Sequence, residues 1–170
     1  AALMRHTPAY TSQNLIATAH VDIQFVTYPD YPSLRFETSR SQVLLEGIIY
    51  SKSDQLIRSE IESLINNLGI ADEDFSGLVR KWISSNDGEY IVVVLDKDSE
   101  NFVMFTDILG RLPLFYQEFA DVIIVAREPK FIISASGNIT PDPVGIAEFL
   151  MHGYNVGGRT MTAGLQRLPP

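Results

Sequence analysis

The chain contains no cysteine, so it has no thiol with which to attack a substrate, form a disulfide or hold a soft metal. Its three histidines, His6, His20 and His152, fall at no H-x-x-H or H-E-x-x-H spacing, and no metal site is expected. No G-x-x-x-x-G-K-S/T loop is present to cradle a nucleotide phosphate. The notable polar residues sit beside turns and helix starts. Asp107 opens the stretch Gly110-Arg111-Leu112-Pro113, where a carboxylate can accept from the N–H groups of a tight turn. Arg111 is expected to pair with a carboxylate or to support an interface with a following domain. Asp54 stands where a helix begins, a place that capping and the helix dipole both favour for a carboxylate.

The bulk numbers narrow the classes. A chain of 170 residues is one ordinary domain, 1–170, long enough to bury its own core. Apolar residues at 45% and charged residues at 20% mark it as globular rather than disordered. The net charge of −8 would repel a phosphate backbone, so nucleic acid is not an expected partner. The longest apolar runs, such as Tyr90 to Leu95, fall far short of the roughly 18 residues that cross a bilayer. With no charged-then-apolar leader, a soluble, cytoplasmic protein is expected, without a membrane partner. Ala1 to His6 reads as the tail of a helix, and Leu168-Pro169-Pro170 as a linker, so the sequence is expected to be part of a longer protein.

The elements that must position these residues follow from periodicity. Residues 21–28 and 42–50 read as strands. Leu56, Ile57, Ile61, Leu64, Ile65 and Leu68 line one face of a helix over Asp54 to Leu68, with Gly69 as its C′ residue. Phe75, Leu78, Val79, Trp82 and Ile83 give a second helix, with Asp72 or Asp74 as N-cap and Asn86-Asp87-Gly88 as breaker. Strands are then expected at Tyr90–Leu95, Phe102–Thr106, Leu114–Gln117 and Val122–Ala126, the first two as an antiparallel hairpin. Asp142-Pro143 starts a last helix that stops at Gly153. Clustered strands without strict βαβ alternation predict an α+β fold with mainly antiparallel sheets.

Several spaced segments carry a resemblance. Thr106-Asp107-Ile108-Leu109-Gly110-Arg111-Leu112-Pro113-Leu114-Phe115-Tyr116 resembles the R-D-x-x-G-x-x-P-L-Y-Y segment of the glutaminase domain of asparagine synthetases. Gly88-Glu89-Tyr90 and Leu95-Asp96 sit where that family has G-x-F and W-D. Ala126-Arg127-Glu128-Pro129-Lys130 is similar to its A-S-E-x-K, and Thr160 to Pro170 to its T-x-x-x-G-I-x-x-L-P-P. In the front half, Leu45-Glu46-Gly47-Ile48-Ile49-Tyr50 resembles its N-G-E-I-Y strand end and Ser53-Asp54 its S-D-T-E, with the helix usually between those motifs missing. Ala2-Leu3 and Pro8 are similar to its A-L-x-H-R-G-P-D, with His6-Thr7 in place of Arg-Gly.

The resemblance implies a four-layer αββα sandwich of two mainly antiparallel sheets, of the N-terminal-nucleophile hydrolase type. In active relatives an N-terminal Cys attacks the glutamine amide, its own α-amino group acts as base, and the ammonia passes to an ATP-using synthetase domain. Three positions bear on the substrate. Glu46 stands where the family has an Asn of the oxyanion hole, and a carboxylate there would repel the developing charge. Gly47 would offer a backbone N–H to ligand, or else is a strand-bend glycine. Asp54 would bind the substrate α-amino group, or else serves only the helix start. Asp22 falls near an Arg that grips the glutamine carboxylate in the family.

The expectation is therefore a domain with no catalytic residues of its own, inactive on glutamine and acting as scaffold for a C-terminal synthetase domain in the same chain. ATP and magnesium belong to that domain, and a homodimer is left open. The alternative is an active glutamine amidotransferase whose Cys lies about 20 residues upstream of Ala1; a third is a binding domain for another ligand, because fold does not fix function. Met151, Tyr154, Val156, Met161 and Leu165 are expected to form the apolar docking surface.

Overall fold

A computed structural model describes residues 9–68, 74–119, 121–137 and 139–169, with only the backbone of 67 and 68. The chain divides into two compact units, one running to Leu112 and one from Pro113 onward. The architecture is α+β, with three antiparallel sheets and four helices among the described residues. No helix there is long and apolar enough to cross a membrane. The expectations on Ala1 to Pro8, Gly69, Asp72 and Pro170 lie outside the described residues.

In the first unit, β1 (Thr11–Ala17) and β2 (Asp22–Thr27) form a hairpin. Its turn is tied by Thr18, whose hydroxyl accepts from the His20 and Val21 N–H groups. A second hairpin joins β3 (Ser33–Glu37) to β4 (Ser41–Ile49), and a third joins β5 (Gly88–Asp96) to β6 (Phe102–Thr106). Asp96 builds the last turn by accepting the Asp98 and Ser99 N–H groups at 3.0 and 2.9 Å, and the Ser99 bond is the chief reason its carboxyl is held below the usual range. The four strands lie in the order β3-β4-β5-β6.

Between β4 and β5 run α1 (Asp54–Leu68) and α2 (Phe75–Ser84), at the expected positions. Asp74 stands at the α2 N-cap; its carbonyl accepts from Gly77 and Leu78, and its side chain makes no capping bond. The helices cover one face of the sheet. Val43, Leu45 and Ile49 of β4 and Tyr90, Val92 and Val94 of β5 meet Ile57, Ile61, Ile65, Val79 and Trp82. Each such buried side chain contributes about 1.5–3 kcal/mol. Trp82 packs edge-on against Tyr90 and Phe105, and its indole N–H donates to Glu60 at 3.0 Å. Leu44, Ile91, Val93 and Leu95 point the other way and are buried too. Both faces of β5 are thus covered, which is why it reads as one continuous apolar run.

In the second unit, β7 (Phe115–Phe119) pairs with β8 (Val122–Ala126) and with the short β9 (Gln166–Arg167), in the order β8-β7-β9. Two helices complete it, α3 (Pro129–Ser136) and α4 (Pro143–His152). Asp142 caps α4 by accepting the Val144 and Gly145 N–H groups, and Gly153 ends it in the left-handed region, as the sequence predicts. The third predicted strand is displaced: it starts at Phe115 rather than Leu114 and runs on to Phe119, because Leu114 instead turns its carbonyl to the Leu168 N–H.

Candidate functional site

The first-unit site grows from a bend at the end of β4. Leu45 faces the helices, so Glu46 faces the opposite side of the sheet. Gly47 breaks the alternation with φ +101°. A Cβ there would lie 1.9 Å from the Glu89 carbonyl oxygen and 3.0 Å from Leu112 Cδ1. Only glycine fits this bend. Its N–H donates to the Pro32 carbonyl at 2.9 Å and is already used.

Glu46 is half-buried, and its Oε1 accepts the Tyr31 hydroxyl at 2.9 Å. Tyr31 lies edge-on to Tyr28 at 5.2 Å and beside Phe25 at 6.0 Å. The Arg35 guanidinium stacks over Phe25 at 4.9 Å and donates to Gln13 at 2.7 Å. These contacts seat the β1–β2 hairpin on the face of the sheet that carries Glu46. Chemically the carboxylate is an acceptor with a donor in place, the reverse of a group that donates to an oxyanion.

Asp54 is exposed as the first residue of α1, directly after Ser53, whose Oγ accepts the Leu56 N–H at 3.4 Å. Asp22 opens β2, is exposed, and accepts from Gln24 at 3.1 Å. Glu46 and Gly47 are therefore brought together at the bend, whereas Asp54 belongs to the helix start and Asp22 to the hairpin.

The turn after β6 is hung on the same strand ends. The Asp107 N–H donates to the Tyr90 carbonyl at 3.2 Å. Its buried carboxylate accepts the Leu109 and Arg111 N–H groups, each at 3.0 Å, as the sequence predicts. Gly110 closes the turn with positive φ. Arg111 pairs with a carboxylate: it donates to Asp87 at 2.9 Å and to the Gly88 carbonyl. The Asp87 bond raises the guanidinium pKa further. Beside it the Tyr50 hydroxyl donates to Glu89 at 2.9 Å, which pushes the phenol pKa up. The pairings of Tyr31 with Glu46, Tyr50 with Glu89 and Asp87 with Arg111 gave no signal in the sequence, because each partner lies many residues away.

In the second unit four of the five expected docking residues are exposed: Met151 at 77%, with Tyr154, Val156 and Met161. Leu165 is not, at 3%. Its backbone is bonded to Thr160 and Thr162, which turns the side chain inward just before β9. Val144, Phe149 and Leu150 of α4 add to the exposed apolar surface. Nearby, Arg159 bridges Asp142 at 3.1 Å and Glu148 at 3.5 Å in a polar cavity of about 410 Å³, and those charges answer one another.

Among the described residues no three His, Asp or Glu side chains group so as to hold a metal ion. Compared with known families and with curated proteins, the chain matches no family model and no curated sequence.

Proposed function

We propose that this chain is the glutaminase-type N-terminal domain of an asparagine-synthetase-like, ATP-dependent amide-forming enzyme, and that it does not hydrolyse glutamine. Its fold on this reading is the N-terminal-nucleophile hydrolase sandwich, and its role is to support a C-terminal synthetase domain that holds ATP and magnesium. One observation carries the loss of activity. Where the resemblance would put an oxyanion hole, the Gly47 N–H donates to Pro32 and Glu46 carries a carboxylate that accepts from Tyr31. A developing oxyanion there would meet a negative group, and the Gly47 N–H is already bonded. The scaffold role is supported by the turn at Asp107 to Arg111, where the Asp107 carboxylate and the Arg111 guanidinium are both engaged in structure, and by the apolar surface of α4.

The test is a coupled ammonia assay on the intact protein. No ammonia above a buffer blank is expected from glutamine, and amide formation in the whole enzyme is expected to use a free amine. Glutamine turnover would establish the alternative, an active amidotransferase.

A further inference from the structure

The β1–β2 hairpin forms a sheet of its own, so among the described residues no ladder ties it to the four strands β3 to β6. Side chains hold it instead. Arg35 stands opposite Leu44, and so shares the face of the sheet that carries Leu44, Glu46 and Val93. From there its guanidinium reaches both hairpin strands, stacking over Phe25 of β2 and donating to Gln13 of β1. At the far end the Thr18 hydroxyl donates to Glu100, in the turn between β5 and β6, at 3.1 Å. The hairpin therefore crosses the sheet from β3 to that turn, over the buried Leu44, Ile91, Val93 and Leu95. Its own fully buried apolar side chains, among the described residues, are Ile16 and Phe25. Arg35 and Thr18 are both exposed, and polar contacts open to water add little stability.

The connection to β3 is built as a pivot. The Pro32 carbonyl accepts the Gly47 N–H and the Tyr31 hydroxyl donates to Glu46, which anchors the chain from Tyr31 onward to the sheet. Before that anchor, Pro29 has a fixed φ, and Asp30 holds φ +64° in the left-handed region that most L-residues avoid. A short loop of this kind absorbs the backbone rotation when a cover swings. We propose that the hairpin is a flap: it lifts as a unit about Tyr28, Pro29 and Asp30 while β3 to β6 stay paired, with Arg35 as its latch. Lifted, it uncovers an apolar strip, Leu44, Ile91 and Val93, beside the Glu46 carboxylate, so the flap controls access to that face. The opposite face is held by the buried side chains of α1 and α2 and stays closed. The two faces of β5 thus open independently.

Because the chain has no cysteine, single introduced thiols report the two faces. Val93→Cys lies under the hairpin, and Val92→Cys, one residue away, lies under the helices. In the full chain under native conditions, a thiol reagent is expected to label Val93→Cys at least about tenfold faster than Val92→Cys. Adding Arg35→Met should speed the first at least about fivefold and leave the second unchanged. Arg58→Met, which removes a similar stack over Phe36, should leave the Val93→Cys rate as it was. Hydrogen exchange gives a second readout. An isolated hairpin is marginal in water, so residues 11–27 should exchange together and ahead of residues 41–49. Equal labelling of the two thiols would overturn the proposal, as would a Val93→Cys rate indifferent to Arg35→Met. So would amides of β1 and β2 that exchange only together with those of β4. Should either thiol variant not fold, as circular dichroism would show, hydrogen exchange in the parent and in Arg35→Met decides the matter.

Discussion

The Tyr31 hydroxyl donates to the Glu46 carboxylate at 2.9 Å, linking the approach to β3 with the last residue before the Gly47 bend. Removing it with Tyr31→Phe leaves a half-buried carboxylate oxygen short of a donor. The first unit should lose about 1 kcal/mol, read as a lower urea midpoint. An unchanged midpoint would mean that water replaces the hydroxyl.

Gly47→Ala asks an L-residue to hold φ +101° with its Cβ against the Glu89 carbonyl. The strand end must move, and a loss of at least about 2 kcal/mol is expected from denaturant unfolding. Gly77→Ala is the control. It lies inside α2 with open space around it and should stabilise by about 0.4–1 kcal/mol.

At Asp107, alanine and asparagine should differ. Alanine strips the acceptors from two part-buried N–H groups and should cost about 1–2 kcal/mol. Asparagine keeps one acceptor and should lose less. Equal losses would show that charge, not bonding, holds the turn.

Asp142 gives a pH signature. Its carboxyl is held below the ordinary 3.8, first by the Gly145 N–H and then by Arg159 and the Val144 N–H. Folding therefore favours the charged form. The resulting stability is complete above about pH 4 and is lost as pH falls through the lowered value. Asp142→Asn should be less stable than the parent at pH 6, with the gap closing at pH 3. A gap independent of pH would remove Asp142 from the linkage.

On α4, Leu150→Ser and Met151→Ser change exposed side chains and should move stability by no more than about 0.5 kcal/mol. On the scaffold reading they should weaken binding to the synthetase domain, which titration calorimetry would detect.

The helical half of the first unit was legible because its signals are local. Leu56 to Leu68 repeat at helical spacing, and Asp142-Pro143 with Gly153 punctuates α4 at both ends. β1 and β3 escaped because Thr11-Ser12-Gln13-Asn14 and Ser33-Leu34-Arg35 are polar edge segments whose extension is fixed by pairing, not by pattern. α3 escaped because only Ile132 of its eight residues is fully buried, so its apolar positions mark no helical stripe. At the site, the turn role of Asp107 could be read from residue type alone, and a strand bend stood as one of two readings of Gly47. The partners Pro32, Tyr31 and Asp87 could not, since they meet only once the sheet has formed.

The pairing of Ile49 with Gly88 has a consequence for how the chain is made. β4 leaves a ribosome well before β5 exists, and α1 and α2 must emerge in between. Until then β4 offers Val43, Leu44 and Leu45 with one side of its backbone unmatched. The nascent chain therefore passes through a window of exposure that closes only when residues 88–96 arrive. A chaperone or a pause in translation would act most strongly in that window, and a synonymous change that slowed synthesis between positions 50 and 88 would lengthen it.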